Sequence, residues 1–260
     1  MPFFDHRGIK IFYEISGKGP PLILINGLSA DVRQWEPLVG NLEDSFEILR
    51  YDMRCAGKSD KPQAPFSIQD LSEEVLALLK HVNINKINML GFSMGGMIVQ
   101  DFTLKYPKMV DKLILLATAP SIKRPYPPSS YAKSLLYVTE FSEEILVKLF
   151  FSIFGPKYRK KVLPEDYVRM KLEDENAQPL EAYLNQLQAL DQFDCVEEVD
   201  KISRPTLIAT GDHDKLVSPE NSQWLNQKIQ GSKLHYFKGV GHMVPLECPQ
   251  ELSNLLKSFL

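Results

Sequence analysis

An apolar run, Lys86-Ile-Asn-Met-Leu-Gly91, passes without a break into Phe92-Ser93-Met94-Gly95-Gly96, and helical spacing carries on to Lys105. A strand that turns into a helix this sharply leaves the chain few folds to choose from. The turn forces its serine into a backbone conformation that L-residues avoid and leaves no room for side chains two positions to either side, hence Gly91 and Gly95. In that setting the pattern G-x-S-x-G presents Ser93 at the C-terminal edge of a sheet, with the free N–H of Met94 at a helix N-terminus. The plainer reading is a glycine-rich turn whose serine caps the helix. Strand before, helix after and the additional Gly96 favour a nucleophile, and a serine hydroxyl needs a base to take its proton.

Other short runs rich in Ile, Leu and Val recur at 9–15, 21–26, 46–52, 112–117, 205–211 and 233–238. Between them lie helical patterns such as Ile68 to Val82, with Leu71, Val75, Leu78 and Leu79 on one face. Strand and helix in alternation predict a parallel sheet with helices on both faces. The turn signal Asp5-His-Arg-Gly8 predicts an antiparallel hairpin at the start. After Ala117 the alternation stops. From Ser121 to about Val199 there is a proline-rich exit followed only by helical segments, over 130–139, 142–154, 164–175 and 179–193. The expected organisation is one α/β core formed by 1–120 and 200–260, with a helical insertion over 121–199.

Thirty Lys+Arg against thirty-three Asp+Glu leave a net charge of -3, so no overall basic field draws the protein to nucleic acid or anionic lipid. The longest uncharged stretch, Ile87 to Gln100, falls short of the roughly 20 residues a membrane helix needs. The first residues carry Asp5 and no apolar run behind a basic start, so they do not read as a secretory signal, and a cytoplasmic chain is expected. Cys55, Cys195 and Cys248 are odd in number and lack zinc spacing, which predicts reduced thiols and no metal.

In folds built around such a turn the acid and then the histidine follow the serine on later strand ends. His6 and His81 precede Ser93, His213 lies in the acid's loop and His235 lies within a strand run. His242, after Gly239-Val-Gly241, is the expected base. The strand Leu207 to Gly211 is followed by Asp212-His-Asp214, and Asp214, deeper in the loop, is preferred over Asp212 as the acid that fixes the imidazole tautomer. Oxyanion donors are expected from Met94 and from Leu28, after Gly27. Asp52 and Arg54 are expected to brace a neighbouring loop as an ion pair.

Together, Asn26-Gly27, Tyr51-Asp-Met-Arg54 with Gly57 and Ser59, Gly91 to Gly96, Arg204-Pro-Thr, Gly211-Asp-His-Asp214 and Gly241-His242 with Pro249 resemble the α/β-hydrolase superfamily, of the kind with a helical cap. The resemblance implies a mostly parallel eight-stranded sheet and a cofactor-independent serine esterase with Ser93, Asp214 and His242 as triad. Haloalkane dehalogenases and epoxide hydrolases would carry Asp at position 93. Many relatives have His-Gly where this chain has Asn26-Gly27, a change that spares the backbone donor. Within the superfamily the pattern is similar to enol-lactonases and to the esterase acting on pimeloyl-carrier methyl ester.

In such proteins the inserted helices roof the serine and select the substrate. The large apolar residues there, among them Tyr137, Phe150 and Phe154, are expected to contact an apolar acyl group. The basic cluster Lys157, Arg159, Lys160 and Lys161 would suit an acyl carrier protein or an acyl carboxylate. The expected substrate is a small-molecule carboxylic ester, thioester or lactone. The alternatives are a non-catalytic binding protein on the same fold and a carbon–carbon bond hydrolase.

Overall fold

The structure, a computed structural model, describes residues 2–260. Its strands are β1 Phe3–His6, β2 Ile9–Gly17, β3 Pro21–Ile25, β4 Glu47–Tyr51, β5 Ile87–Phe92, β6 Val110–Leu116, β7 Thr206–Gly211 and β8 Lys233–Phe237. Its α-helices are α1 Glu36–Val39, α2 Ile68–His81, α3 Met94–Lys105, α4 Ser130–Leu136, α5 Glu143–Ile153, α6 Pro164–Leu172, α7 Leu180–Gln192, α8 Pro219–Lys228, α9 Val244–Glu247 and α10 Pro249–Phe259.

The strands form one eight-stranded sheet in the order β1-β2-β4-β3-β5-β6-β7-β8. β2 runs antiparallel to β1 and β4, and the rest are parallel. The opening hairpin closes through Arg7 and Gly8, both at positive φ, with Gly8 N–H donating to the Asp5 carboxylate at 2.9 Å. β5 is buried on both faces because helices cover both, which is why its run is apolar without alternation. Ser67 and Asp70 start α2 with a reciprocal capping box, and its apolar stripe packs against α3.

Residues between β6 and β7 contribute the four helices α4 to α7 and no strand. Ser129 and Ser142 cap α4 and α5, and Pro164 opens α6. The ends of the segment meet: Ser121 bridges Asp194, Cys195 N–H donates to Pro120 O at 3.0 Å, and Arg124 pairs with Asp194 and Glu197. Two helices stop earlier than their patterns suggest. α4 ends at Leu136, where Tyr137 leaves the helical region. α6 ends at Leu172, before Asp174 takes the N–H of Asn176 in a local turn that competes with the helix. Among the described residues, no helix is long and apolar enough to cross a membrane.

Candidate active site

β5 delivers the turn at the centre of the sheet. Ser93 sits between strand and helix at φ 54°, ψ -117°, a conformation that a non-glycine residue holds only when its surroundings enforce it. Here Ser93 N–H donates to Leu116 O at 2.9 Å, while Ser93 O accepts from Gly96 N–H at 2.9 Å and Thr118 Oγ1 at 2.7 Å. A Cβ on Gly91 would lie 2.3 Å from Gly95 O, and one on Gly95 would lie 2.3 Å from Ile25 O. The glycines are therefore required by backbone contact, and the second brings α3 against the end of β3.

The loops after β7 and β8 bring Asp214 and His242 together. His242 Nδ1 and Asp214 Oδ2 are 2.7 Å apart, and both side chains are buried. The other Asp214 oxygen accepts the N–H groups of Leu216 and Val217, each at 2.9 Å, which leaves the carboxylate little freedom. With Nδ1–H donated to Asp214, Nε2 is left as the proton acceptor. The His242 ring lies 4.9 Å, centroid to centroid, from Phe92, the residue before Ser93. Among the described residues Ser93 Oγ makes no hydrogen bond, including none to Nε2; such bonds often tighten only when substrate is bound. Asp212 has a different task, accepting Gly239 N–H at 2.6 Å and so holding the loop that leads to His242.

A carboxylate after His242 ties that loop to the helical insertion. Glu247 accepts Gly241 N–H at 2.9 Å on one oxygen and Gly155 N–H at 2.8 Å on the other. His242 N–H donates to Ile153 O at 2.7 Å. Burial pushes the Glu247 carboxyl above its usual range, against the pull of the two N–H donors.

Leu28 and Met94 lie at the ends of β3 and β5, which are adjacent and in register from Leu22 with Asn88 to Ile25 with Gly91. Among the described residues neither N–H has a protein acceptor: Met94 opens a helix, where N–H groups have no intrahelical partner, and Leu28 lies outside any element. A Cβ on Gly27 would lie 3.1 Å from Ser93 Cβ, so this loop runs directly beside the serine. Asn26 Nδ2 donates to Tyr51 O at 3.1 Å.

The expected Asp52–Arg54 ion pair is not formed. Asp52 accepts backbone N–H groups of Val32 and Lys58, both at 2.8 Å, and Arg54 Nε pairs at 2.8 Å with Glu74, buried on α2. Each residue is satisfied by another partner, Asp52 by N–H groups of its own loop and of the segment after β3, and Arg54 by a carboxylate on α2. Burial pushes the Asp52 carboxyl up to about 6.

Phe150 and Phe154 are buried in a cluster with Leu146, Ile153, Tyr167 and Val168, packed against Leu216, two residues after Asp214, and Met243, next in the chain to His242. Tyr137 lies half exposed, with its hydroxyl donating to Asp191 at 2.8 Å. A second apolar cluster, Leu136, Val138, Tyr183 and Leu187, packs against both Leu28 and Leu216. Spacing alone did not mark Tyr183 and Leu187, nor Gln186 and Glu247, which meet residues distant in the chain. Among the described residues, no group of three or more His, Cys, Asp or Glu is arranged to hold a metal ion.

A family profile described as the α/β hydrolase fold matches residues 20–249. The chain belongs to that family. It is 26% identical over 269 residues to 3-oxoadipate enol-lactonase 2 of Acinetobacter baylyi, covering 100% of this chain and 98% of that protein. It is 25% identical over 244 residues to a poly(3-hydroxyalkanoate) depolymerase of Ectopseudomonas oleovorans, covering 92% and 84%. The crystal structure of the enol-lactonase from Burkholderia xenovorans LB400 superposes with a TM-score of 0.86 at 25% identity, over 99% of both chains. The chain is accordingly a hydrolase of the α/β family.

Proposed function

We propose that this α/β hydrolase is a cofactor-independent serine esterase acting on carboxylic esters of an apolar acyl group. The observation that carries the reading is the buried 2.7 Å pair of His242 and Asp214 beside a serine held in a strained turn. Ser93 Oγ attacks the ester carbonyl carbon while His242 Nε2 takes its proton, and Asp214 stabilises the imidazolium. The carbonyl oxygen becomes an oxyanion, which the Leu28 and Met94 N–H groups bind, reinforced by the positive end of α3. Collapse breaks the bond to the alcohol oxygen, which leaves with the proton from His242. Water then attacks the acyl-enzyme, with His242 as base, and releases the acid and Ser93.

The segment 121–199 acts as a cap. Leu28, Val138, Tyr183 and Leu216 form the nearer acyl wall, because the cluster they share joins the oxyanion loop to the acid's loop. Phe150 and Phe154 back it through Leu216 and Met243. Its relatives include an enol-lactonase and a poly(3-hydroxyalkanoate) depolymerase, which supports ester-type bonds. Among the described residues Lys157, Arg159, Lys160 and Lys161 have no carboxylate within ion-pair distance. An acyl carrier protein would present its acidic helix there, and reversing all four to Glu would slow carrier-bound esters more than free ones.

Burst release from p-nitrophenyl butyrate tests the chemistry. Wild type should release the phenol and be labelled on Ser93 by a fluorophosphonate, and Ser93→Ala should do neither. Equal turnover by Ser93→Ala would overturn the mechanism, and binding without turnover by wild type would favour a ligand-binding protein.

A further inference from the structure

Gln186 lies on α7 in the helical insertion, fully buried, yet its amide is spent on two loops of the core. Oε1 accepts the N–H of Ser29 at 3.1 Å, and Nε2 donates to Arg54 O at 3.0 Å. Ser29 directly follows Leu28 and takes a φ of 59°, a left-handed conformation that a serine keeps only when something holds it. The bond from Gln186 supplies that hold. It fixes the Leu28–Ser29 peptide, and on the other side of the Leu28 Cα the Leu28 N–H stays free.

Only an amide meets both demands at this place. The Ser29 N–H, part-buried, needs an acceptor, and the Arg54 carbonyl, in a buried bond, needs a donor. A carboxylate would face the carbonyl with a second acceptor. An apolar side chain of equal length would leave both groups unpaired. Two neighbouring amides strap the same helical region to the core without touching the Leu28 loop: Gln178 Nε2 donates to Cys55 O at 2.6 Å and Asn185 Nδ2 to Gln63 O at 3.2 Å.

We infer that Gln186 is a positioning residue for the oxyanion hole, so that the Leu28 donor is aligned only while the inserted helices are docked on the core. The element that roofs the substrate thereby also sets transition-state stabilisation. The inference rests on the esterase reading, and the two can fail separately.

The test compares Gln186→Met, Gln186→Glu and the control Gln178→Met on p-nitrophenyl butyrate. It also measures inhibition by an alkyl trifluoromethyl ketone, whose adduct with the serine carries an oxyanion. Gln186→Met should lower kcat by about a hundredfold, the worth of one oxyanion donor, with KM within about twofold. Its inhibition constant for the ketone should rise by the same factor as kcat/KM falls. Gln186→Glu keeps the acceptor for Ser29 and should stay within about tenfold of wild type in kcat, the range left after one lost uncharged hydrogen bond. Gln178→Met should leave kcat unchanged. A raised KM at constant kcat, or unchanged ketone inhibition, in Gln186→Met would overturn the inference. If Gln186→Met does not fold, Gln186→Glu decides: a fall in kcat matched by Gln178→Met would show general loosening and overturn it. A wild type whose turnover ignores Ser93→Ala would sink the esterase reading instead.

Discussion

Gly95→Ala is the sharpest structural test of how the site is built. The added Cβ would stand 2.3 Å from Ile25 O, 2.5 Å from Asn26 O and 2.8 Å from Ile25 C, all backbone atoms at the end of β3. Cβ atoms do not approach closer than 3.0 Å, so helix and strand must part by about 0.7 Å. α3 is buried from Met94 to Thr103 and cannot retreat without disturbing β5 and α2. Overpacking of this kind costs about 1–3 kcal/mol. For a domain of this size that lowers the melting temperature by roughly 2–10 °C. The same shift separates the Met94 N–H, at the start of α3, from Leu28, and a misplacement approaching 1 Å costs about a hundredfold in kcat. Calorimetry and p-nitrophenyl butyrate kinetics read the two effects. Gly40→Ala is the control: Gly40 ends α1 at φ -57° with open space around its Cα, so alanine there should gain about 0.4–1 kcal/mol and leave kcat alone. A Gly95→Ala enzyme as stable and as active as wild type would refute the packing argument.

Two further outcomes follow from the same geometry. Asp214→Asn should lower kcat by about 10⁴ and slow fluorophosphonate labelling of Ser93, because the amide favours the wrong imidazole tautomer; a loss below tenfold would remove Asp214 from the role. Asp52, pushed up to about 6 by burial from an ordinary 3.8, holds its proton more tightly folded than unfolded. Its contribution to stability is therefore fully present below about pH 4 and is lost as pH rises through 6, by up to about 3 kcal/mol. From pH 4 to pH 8 the urea-unfolding free energy of wild type should fall relative to that of Asp52→Asn by up to that amount, and a difference that stays constant with pH would contradict the assignment.

Much of this molecule is written locally. The Asp5-to-Gly8 turn and the strand-turn-helix at Ser93 each depend on groups within a few residues, so composition and spacing expose them. The long apolar runs likewise identify β3, β5 and β7, because strands covered on both faces have no polar side to show. Helix ends in the insertion were less legible, since a local turn at Asp174 competes with a pattern that could continue.

Other features exist only once the chain has folded. The sequence favoured Asp214 over Asp212 only by its place deeper in the loop, whereas the 2.7 Å contact that joins it to His242 depends on how the loops after β7 and β8 pack. Arg54 finds Glu74 instead of Asp52 because α2 delivers a buried carboxylate to its side. Gln186 meets Ser29 across 157 residues of chain, and Glu247 reaches Gly155 across 92. Hydrogen bonds over such separations leave no periodic trace, since they satisfy single buried polar groups and not a repeating face. Residue order therefore determined the sheet and the serine's turn, whereas tertiary packing chose which polar groups meet around them.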